Sequence, residues 1–352
     1  MPTRPTPPPE RLRPDNVTPP VRTPWGGQWI AACHKARLGV VAAADRIGEA
    51  WEISVEPTFP SRLARTGELL SDVIARDPAA WLGPAAARHD GRLPLLVKVL
   101  DAAETLSVQV HPAADDPALA PGESGKPEAW IIVGAAPGAG IYLGFQAGVA
   151  RADVEACLAR GAGLDALLNF VPVAPGDTFV VAAGTVHAIG AGVTLVEPQL
   201  VLPGKRAVTY RLWDWGRRYD PNGRPDPAGQ PRPLHVARAL DVADWGAPRG
   251  AAFVAGCRSA TPVLAAAGPR RERVLATPWC TAEGWTGDGS WTIGVDAFMG
   301  IVCLGGRLSI ETASGAVALA CGESAVVPAA AGQARLHGEA VDAVMCAPGV
   351  TA

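Results

Sequence analysis

The chain lacks paired cysteines. Cys33, Cys157, Cys257, Cys280, Cys303, Cys321 and Cys346 are scattered, odd in number and without a CxxC spacing. That pattern argues against a disulfide framework and against a thiolate zinc site. It fits small, buried apolar residues in a reducing cytoplasm. No apolar run approaches the roughly 20 residues that span a bilayer, so no membrane partner is expected. The Pro-rich, polar N-terminus has no hydrophobic core of a signal peptide. A net charge of -3 over 352 residues provides no global field for nucleic acid. Lysine is scarce, with only Lys35, Lys98, Lys126 and Lys205 among 31 basic residues. The arginine bias suggests a GC-rich genome. It also singles out each remaining lysine, since a compact amine with a movable pKa differs chemically from a fixed guanidinium.

What is present supports a sizeable core. The composition is 48% hydrophobic, enough for one large or two medium domains. Residues 1–24 hold many prolines and little apolar periodicity, and they are expected to form a disordered tail. From Trp25-Gly26-Gly27 onward the text is mostly short β-like runs broken by Gly and Pro. Examples are 49–55, 93–100, 178–181 and 192–196. Many short strands with turns between them predict a mainly β sandwich or barrel. Two stretches have helical spacing, Leu63 to about Leu82 and Arg151 to Phe170, and are expected as helices inserted around the β core. A boundary is expected near 250, giving a first domain over 25–250 and a second over 251–352.

Leu106-Ser107-Val108-Gln109-Val110-His111-Pro112 and Gly125-Lys126-Pro127-Glu128-Ala129-Trp130 carry the chemistry. Gln109 and His111 are two apart, so on a strand they share a face. Glu128 arrives on a second segment and His187 on a third. The 176–187 stretch runs Gly, five residues, Ala-x-Gly, two residues, His. Residues 322–333 repeat that spacing with Gln333 in place of the histidine. The repeat suggests two copies of one β unit, the second without its ligand.

The spacing ending at His187 resembles the second cupin motif, and the opening motif resembles the first in altered form. With Trp25-Gly26-Gly27, Gly48-Glu49-Ala50-Trp51, the 94–102 run and Thr209-Tyr210-Arg211-Leu212-Trp213-Asp214-Trp215, the segments resemble class I mannose-6-phosphate isomerases (phosphomannose isomerases) in family order over 25–240. The resemblance implies two cupin (jelly-roll) units, the second degenerate. It implies one Zn²⁺ per chain held by Gln109, His111, Glu128 and His187, a donor set that zinc accepts. The activity implied is interconversion of mannose 6-phosphate and fructose 6-phosphate through a cis-enediol, by a cytoplasmic monomer or homodimer.

That reaction needs an electrophile, an acid/base group and cationic anchors. Arg211 corresponds to the family's active-site arginine, and Lys126 to a family lysine placed at the substrate. Glu197 is the candidate base, although Pro198 is expected to disturb its strand. Ser107 and Lys98 are the candidate substrate ligands. Lys205 and Arg206 either meet the phosphate or face solvent. His34, His89, His235 and His337 show no ligand spacing and are taken as non-catalytic. Trp130 and Trp213 are candidate walls of the sugar pocket. The alternatives are an isomerase of another aldose or ketose phosphate, an iron-dependent cupin oxygenase, which the Gln109 ligand disfavours, and a non-catalytic sugar-binding bicupin.

Overall fold

In the computed structural model, which describes residues 5–265 and 269–349, Leu95–Ala102 is a strand buried along all eight residues. The pleat explains how charged and apolar residues can both be buried there. Leu95, Val97 and Val99 point to one face and join a core shared with Val302, Val344 and Cys346 from the C-terminal part of the chain. Leu96, Lys98 and Leu100 point the other way and line a cleft, as alternation requires.

This strand sits in a five-stranded sheet ordered Glu49–Ile53, Leu95–Ala102, Val193–Leu200, Glu128–Ala135, Thr178–Val181. A second sheet, ordered Tyr210–Trp213, Val108–Val110, His187–Ile189, Gly140–Phe145, Leu168–Pro172, faces it. Trp130, Ile132 and Leu195 from the first meet Ile141, Leu143 and Ile189 from the second in one apolar layer. The C-terminal part forms an eight-stranded sheet whose long members are Cys280–Val295, Met299–Thr312 and Gly332–Pro348. These strands curl around a core of their own that includes Trp285, Ile301 and Leu336. The chain is thus mainly β, as expected, with the N-terminal sheets packed against a C-terminal β unit. The apolar back of the first unit's outer sheet is buried against the second.

Several boundaries differ from expectation. The N-terminal stretch is not a loose tail: Glu10–Arg11 pairs with Ala325 and Val326 at the edge of the eight-stranded sheet, and Leu12 is fully buried. Proline at the edge of a sheet removes no needed donor, so a Pro-rich run can still be anchored. The first predicted helix is limited to Leu70–Arg76, followed by Pro78–Leu82. Residues ahead of a proline avoid helical dihedrals, and Asp77 breaks the run, its carboxylate accepting from the Ala80 amide at 3.2 Å. The second stops at Arg160, where Gly161 adopts φ +72°. Phe170 then lies on a strand. Helix Ala251–Cys257 packs Phe253, Val254 and Cys257 onto the first unit, so by packing that unit extends past residue 250.

Pro198 lies inside its strand and leaves it intact. Val193–Leu200 pairs continuously with Leu95–Ala102. On the other side the ladder steps from Val196–Ile131 to Gln199–Glu128 without recorded pairs at Glu197 and Pro198, which absorbs the missing N–H.

Candidate active site

Three strands position the predicted ligands. Gln109 and His187 are register partners, and Glu128 opens the neighbouring sheet opposite Gln199. His111 follows the Val108–Val110 strand directly. The side chains of His111, Glu128 and His187 are buried, and one ligand atom from each lies within 4.8 Å of the others. His111 Nε2 is 3.3 Å from Glu128 Oε2, and His187 Nε2 is 3.4 Å from Glu128 Oε1. The Gln109 amide completes the group, 3.3 Å from His187 Nε2.

The hydrogen bonds fix the tautomers. His111 Nδ1 lies 3.1 Å from the Val208 carbonyl and His187 Nδ1 lies 2.8 Å from the Thr185 carbonyl. Carbonyls only accept, so both Nδ1 atoms carry the proton and both Nε2 lone pairs face the carboxylate. Burial holds both imidazoles below the usual histidine range, His187 down to about 3. Glu128 is buried too, which would raise its pKa, but Lys126 and the two histidines outweigh burial and hold it well below the usual carboxylate range. His111 Nε2 and Glu128 Oε1 have no hydrogen-bond partner. Lone pairs converging on an ionised carboxylate call for a cation, and the donors (imidazole nitrogen, carboxylate and an amide that can present its oxygen) suit zinc.

A cleft of about 500 Å³ opens over this cluster. Gln109, Ser107, Lys98, Lys126, Glu197 and Arg211 all line it. Lys126 Nζ is 2.9 Å from Glu128 Oε2. Burial opposes its charge, but Glu128 and Glu197 together raise its pKa, so it stays an ammonium. Burial, then Glu128, push Glu197 up to about 7 against the pull of Lys98 and Lys126. Gln199 Nε2 donates to Glu128 Oε2 at 3.0 Å and to Glu197 Oε2 at 2.7 Å, tying the two carboxylates together. Arg211 Nε donates to Ser107 Oγ at 3.1 Å and Nη1 to the Pro233 carbonyl at 2.9 Å. Burial and nearby Arg232 lower its pKa, so a bound anion would relieve it.

The other candidates fall elsewhere. Arg206 reaches the cleft but pairs with Glu123, and Lys205 lines a neighbouring cavity of about 760 Å³. Trp130 is fully buried, its Nε1 donating to Glu197 Oε1 at 3.3 Å, and Trp213 packs on Trp215. The aromatic wall is Trp25 and Trp51 instead. Of the four unassigned histidines, His34 and His235 make structural contacts, with Glu52 and with the Arg211 amide. Gln199, Glu49, Trp51, Arg22 and Arg232 also line the cleft. Gln199 was open to detection, since it alternates with Glu197 on one strand face. Arg22 and Arg232 carry no local signal.

Comparison with known proteins agrees with this geometry. Residues 22–140 match the family model described as phosphomannose isomerase type I, catalytic domain. A mannose-6-phosphate isomerase of Streptococcus mutans is 33% identical over 199 residues, 56% of this chain and 58% of that protein. One of Bacillus subtilis is 34% identical over 198 residues, 55% of this chain and 58% of the relative. The chain thus spans less than two thirds of the length of these relatives. Among solved structures, the mannose 6-phosphate isomerase of Bacillus subtilis superposes over 97% of this chain and 99% of its own, with TM-score 0.78 and 24% identity. A variant of the phosphomannose isomerase of Salmonella typhimurium covers 97% and 100%, with TM-score 0.71 and 17% identity. Both share the fold, and over residues 22–140 the chain is similar to the type I phosphomannose isomerase catalytic domain.

Proposed function

We propose that this chain is a zinc-dependent isomerase interconverting mannose 6-phosphate and fructose 6-phosphate through a cis-enediol. The observation that carries the reading is the convergence of His111, Glu128 and His187 within 4.8 Å beneath a cleft that also holds Lys126 and Glu197. Gln109, His111, Glu128 and His187 would hold the ion. Bound there, zinc would supply Lewis-acid polarisation of the sugar oxygens.

The remaining chemistry falls to side chains. Glu197, poised near neutrality, takes the proton from C2 of the open-chain aldose and returns it to C1 of the enediol, leaving the ketose. The Lys126 ammonium stabilises negative charge growing on the sugar oxygens and can share its proton with them. Arg211, bonded through Nε and Nη1, offers a second cationic donor through Nη2. Ser107 Oγ already accepts from Arg211, so its hydroxyl hydrogen is free to donate to substrate. Lys98 lines the cleft and holds Glu197 in place. The second β unit packs against the back of the first sheet through a shared apolar core. A monomer or a homodimer is proposed as the working form. Seven free thiols suit the reducing cytoplasm.

A coupled assay on mannose 6-phosphate tests the reading. Turnover should disappear with a chelator and return with zinc. Activity that survives complete zinc removal would sink the mechanism, and turnover of free mannose without turnover of mannose 6-phosphate would sink the phosphate assignment.

A further inference from the structure

The cleft is polar in a directional sense. Its floor lies at Gln109 and Lys126, which line the cleft and contact the buried His187 and Glu128 behind them. Its mouth includes the exposed Arg22. A 6-phosphorylated hexose has the same direction, with reacting carbons C1 and C2 at one end and a dianion at the other. With C1 and C2 on the floor, the phosphate points to the mouth.

Most cations of the cleft are already engaged. Lys126 is paired with Glu128, Lys98 lies between Glu49 and Glu197, Arg206 pairs with Glu123, and Arg232 forks onto Asp214 at 2.8 and 2.6 Å. Arg211 is bonded to Ser107 and Pro233. Among the described residues, Arg22 has no carboxylate partner. Its guanidinium instead lies over the Phe59 ring at 5.0 Å and the Trp51 ring at 5.5 Å. Stacking fixes the plane and leaves the edge donors free for an oxyanion.

The backbone holds it there. The Arg22 amide donates to the Pro19 carbonyl at 3.0 Å, and the Thr18 and Thr23 hydroxyls meet at 2.9 Å. Glu56 lines the cleft with Arg22, and burial raises its pKa against the pull of Lys98.

We infer that Arg22 is a specificity residue that receives the phosphate end of the substrate, an inference that rests on the isomerase reading above. Arg22→Ala and Arg22→Lys test it. Steady-state kinetics on mannose 6-phosphate and on mannose are combined with calorimetric binding of inorganic phosphate and with zinc content. Arg22→Ala should raise KM for mannose 6-phosphate about tenfold while kcat falls far less. KM for mannose should move far less, phosphate should bind about tenfold more weakly, and zinc content should stay the same. Arg22→Lys should recover part of the loss.

An unchanged KM with unchanged phosphate affinity overturns the inference, and so does an equal loss on both sugars. If the unaltered chain turns over no mannose 6-phosphate, the isomerase reading fails, and phosphate binding alone decides for Arg22. Weaker binding in Arg22→Ala keeps it as an anion site. Equal or absent binding in both proteins removes it.

Discussion

Lys98 and Glu197 are register partners on adjacent antiparallel strands, with Lys98 Nζ 3.5 Å from Glu197 Oε2. The same ammonium is 3.7 Å from Glu49 Oε2 and 4.6 Å from the centre of the Trp51 ring. Its charge is therefore spent inside the protein, and its effect on the proposed reaction would pass through Glu197. Lys98 lowers the Glu197 pKa against burial and Glu128. Lys98→Met removes that pull, so the carboxylate ionises at higher pH. The acid limb of the kcat/KM profile should move to alkaline pH by about one unit, roughly 1.4 kcal/mol. A limb that stays in place would separate Lys98 from Glu197.

Glu197→Gln keeps shape and hydrogen bonding to Gln199 and Trp130 but removes the proton acceptor. The turnover number should fall about a hundredfold to ten-thousandfold, the range for loss of general acid–base catalysis. Zinc content and the melting temperature should stay close to those of the parent. A variant that keeps near-full kcat would move the base elsewhere.

The two repeats make opposite predictions for metal. His187 is buried in the ligand cluster. Gln333, its counterpart, is exposed at the start of the Gly332–Pro348 strand and pairs with Gly294. His187→Ala should bring zinc content after dialysis close to zero, and Gln333→Ala should leave it at the parental value. Elemental analysis decides. Metal lost from Gln333→Ala would mean the second unit holds an ion.

The ligands were legible because strand alternation and a repeat are local properties. Alternation singled out Gln109 and His111 and the repeat singled out His187, while the full candidate set with Glu128 came from the family resemblance. Helix ends were less legible: apolar spacing continued through Asp77–Pro78 and past Gly161, and dihedral preferences cut both helices short. Lys98 was legible as a cleft lysine, but its two ion pairs were not. A lysine on a strand reads as solvated until Glu49 and Glu197 are placed beside it. The anchoring of the N-terminus on Ala325 and Val326 and the Lys35–Gly322 hydrogen bond join residues about 300 apart, and no window of sequence contains them.

The N-terminal anchor yields its own test. Leu12 is fully buried in the core shared by the two units, and its amide donates to the Ser324 carbonyl at 2.9 Å. Leu12→Ala should cost about 2–5 kcal/mol, as for other buried leucines. The measurement is urea unfolding. A loss under 0.5 kcal/mol would mean the segment is only loosely laid on the surface.

A buried charge cluster joins the units and should set the acid limit of stability. Glu52 Oε1 is 2.6 Å from Lys35 Nζ and 2.9 Å from His34 Nε2, while Lys35 Nζ also donates to the Gly322 carbonyl at 2.7 Å. Burial favours a neutral Glu52, but Lys35 and His34 outweigh it and bring its pKa down to about 2. A depressed carboxylate stabilises the fold above its unfolded pKa of about 4.3. That contribution is lost as pH falls from there toward 2. Burial also lowers His34, so the unfolded chain takes up its proton first, and stability drops as pH falls below about 6.5. Both effects weaken the protein in acid. Glu52→Gln leaves the Lys35 charge without its carboxylate, a change that costs about 3–5 kcal/mol for a buried pair. The variant should be less stable at pH 7 and should lose less further stability than the parent between pH 4.5 and pH 3. Urea unfolding of both proteins at these pH values checks the two claims together, and parallel curves would show that Glu52 is not the group being titrated.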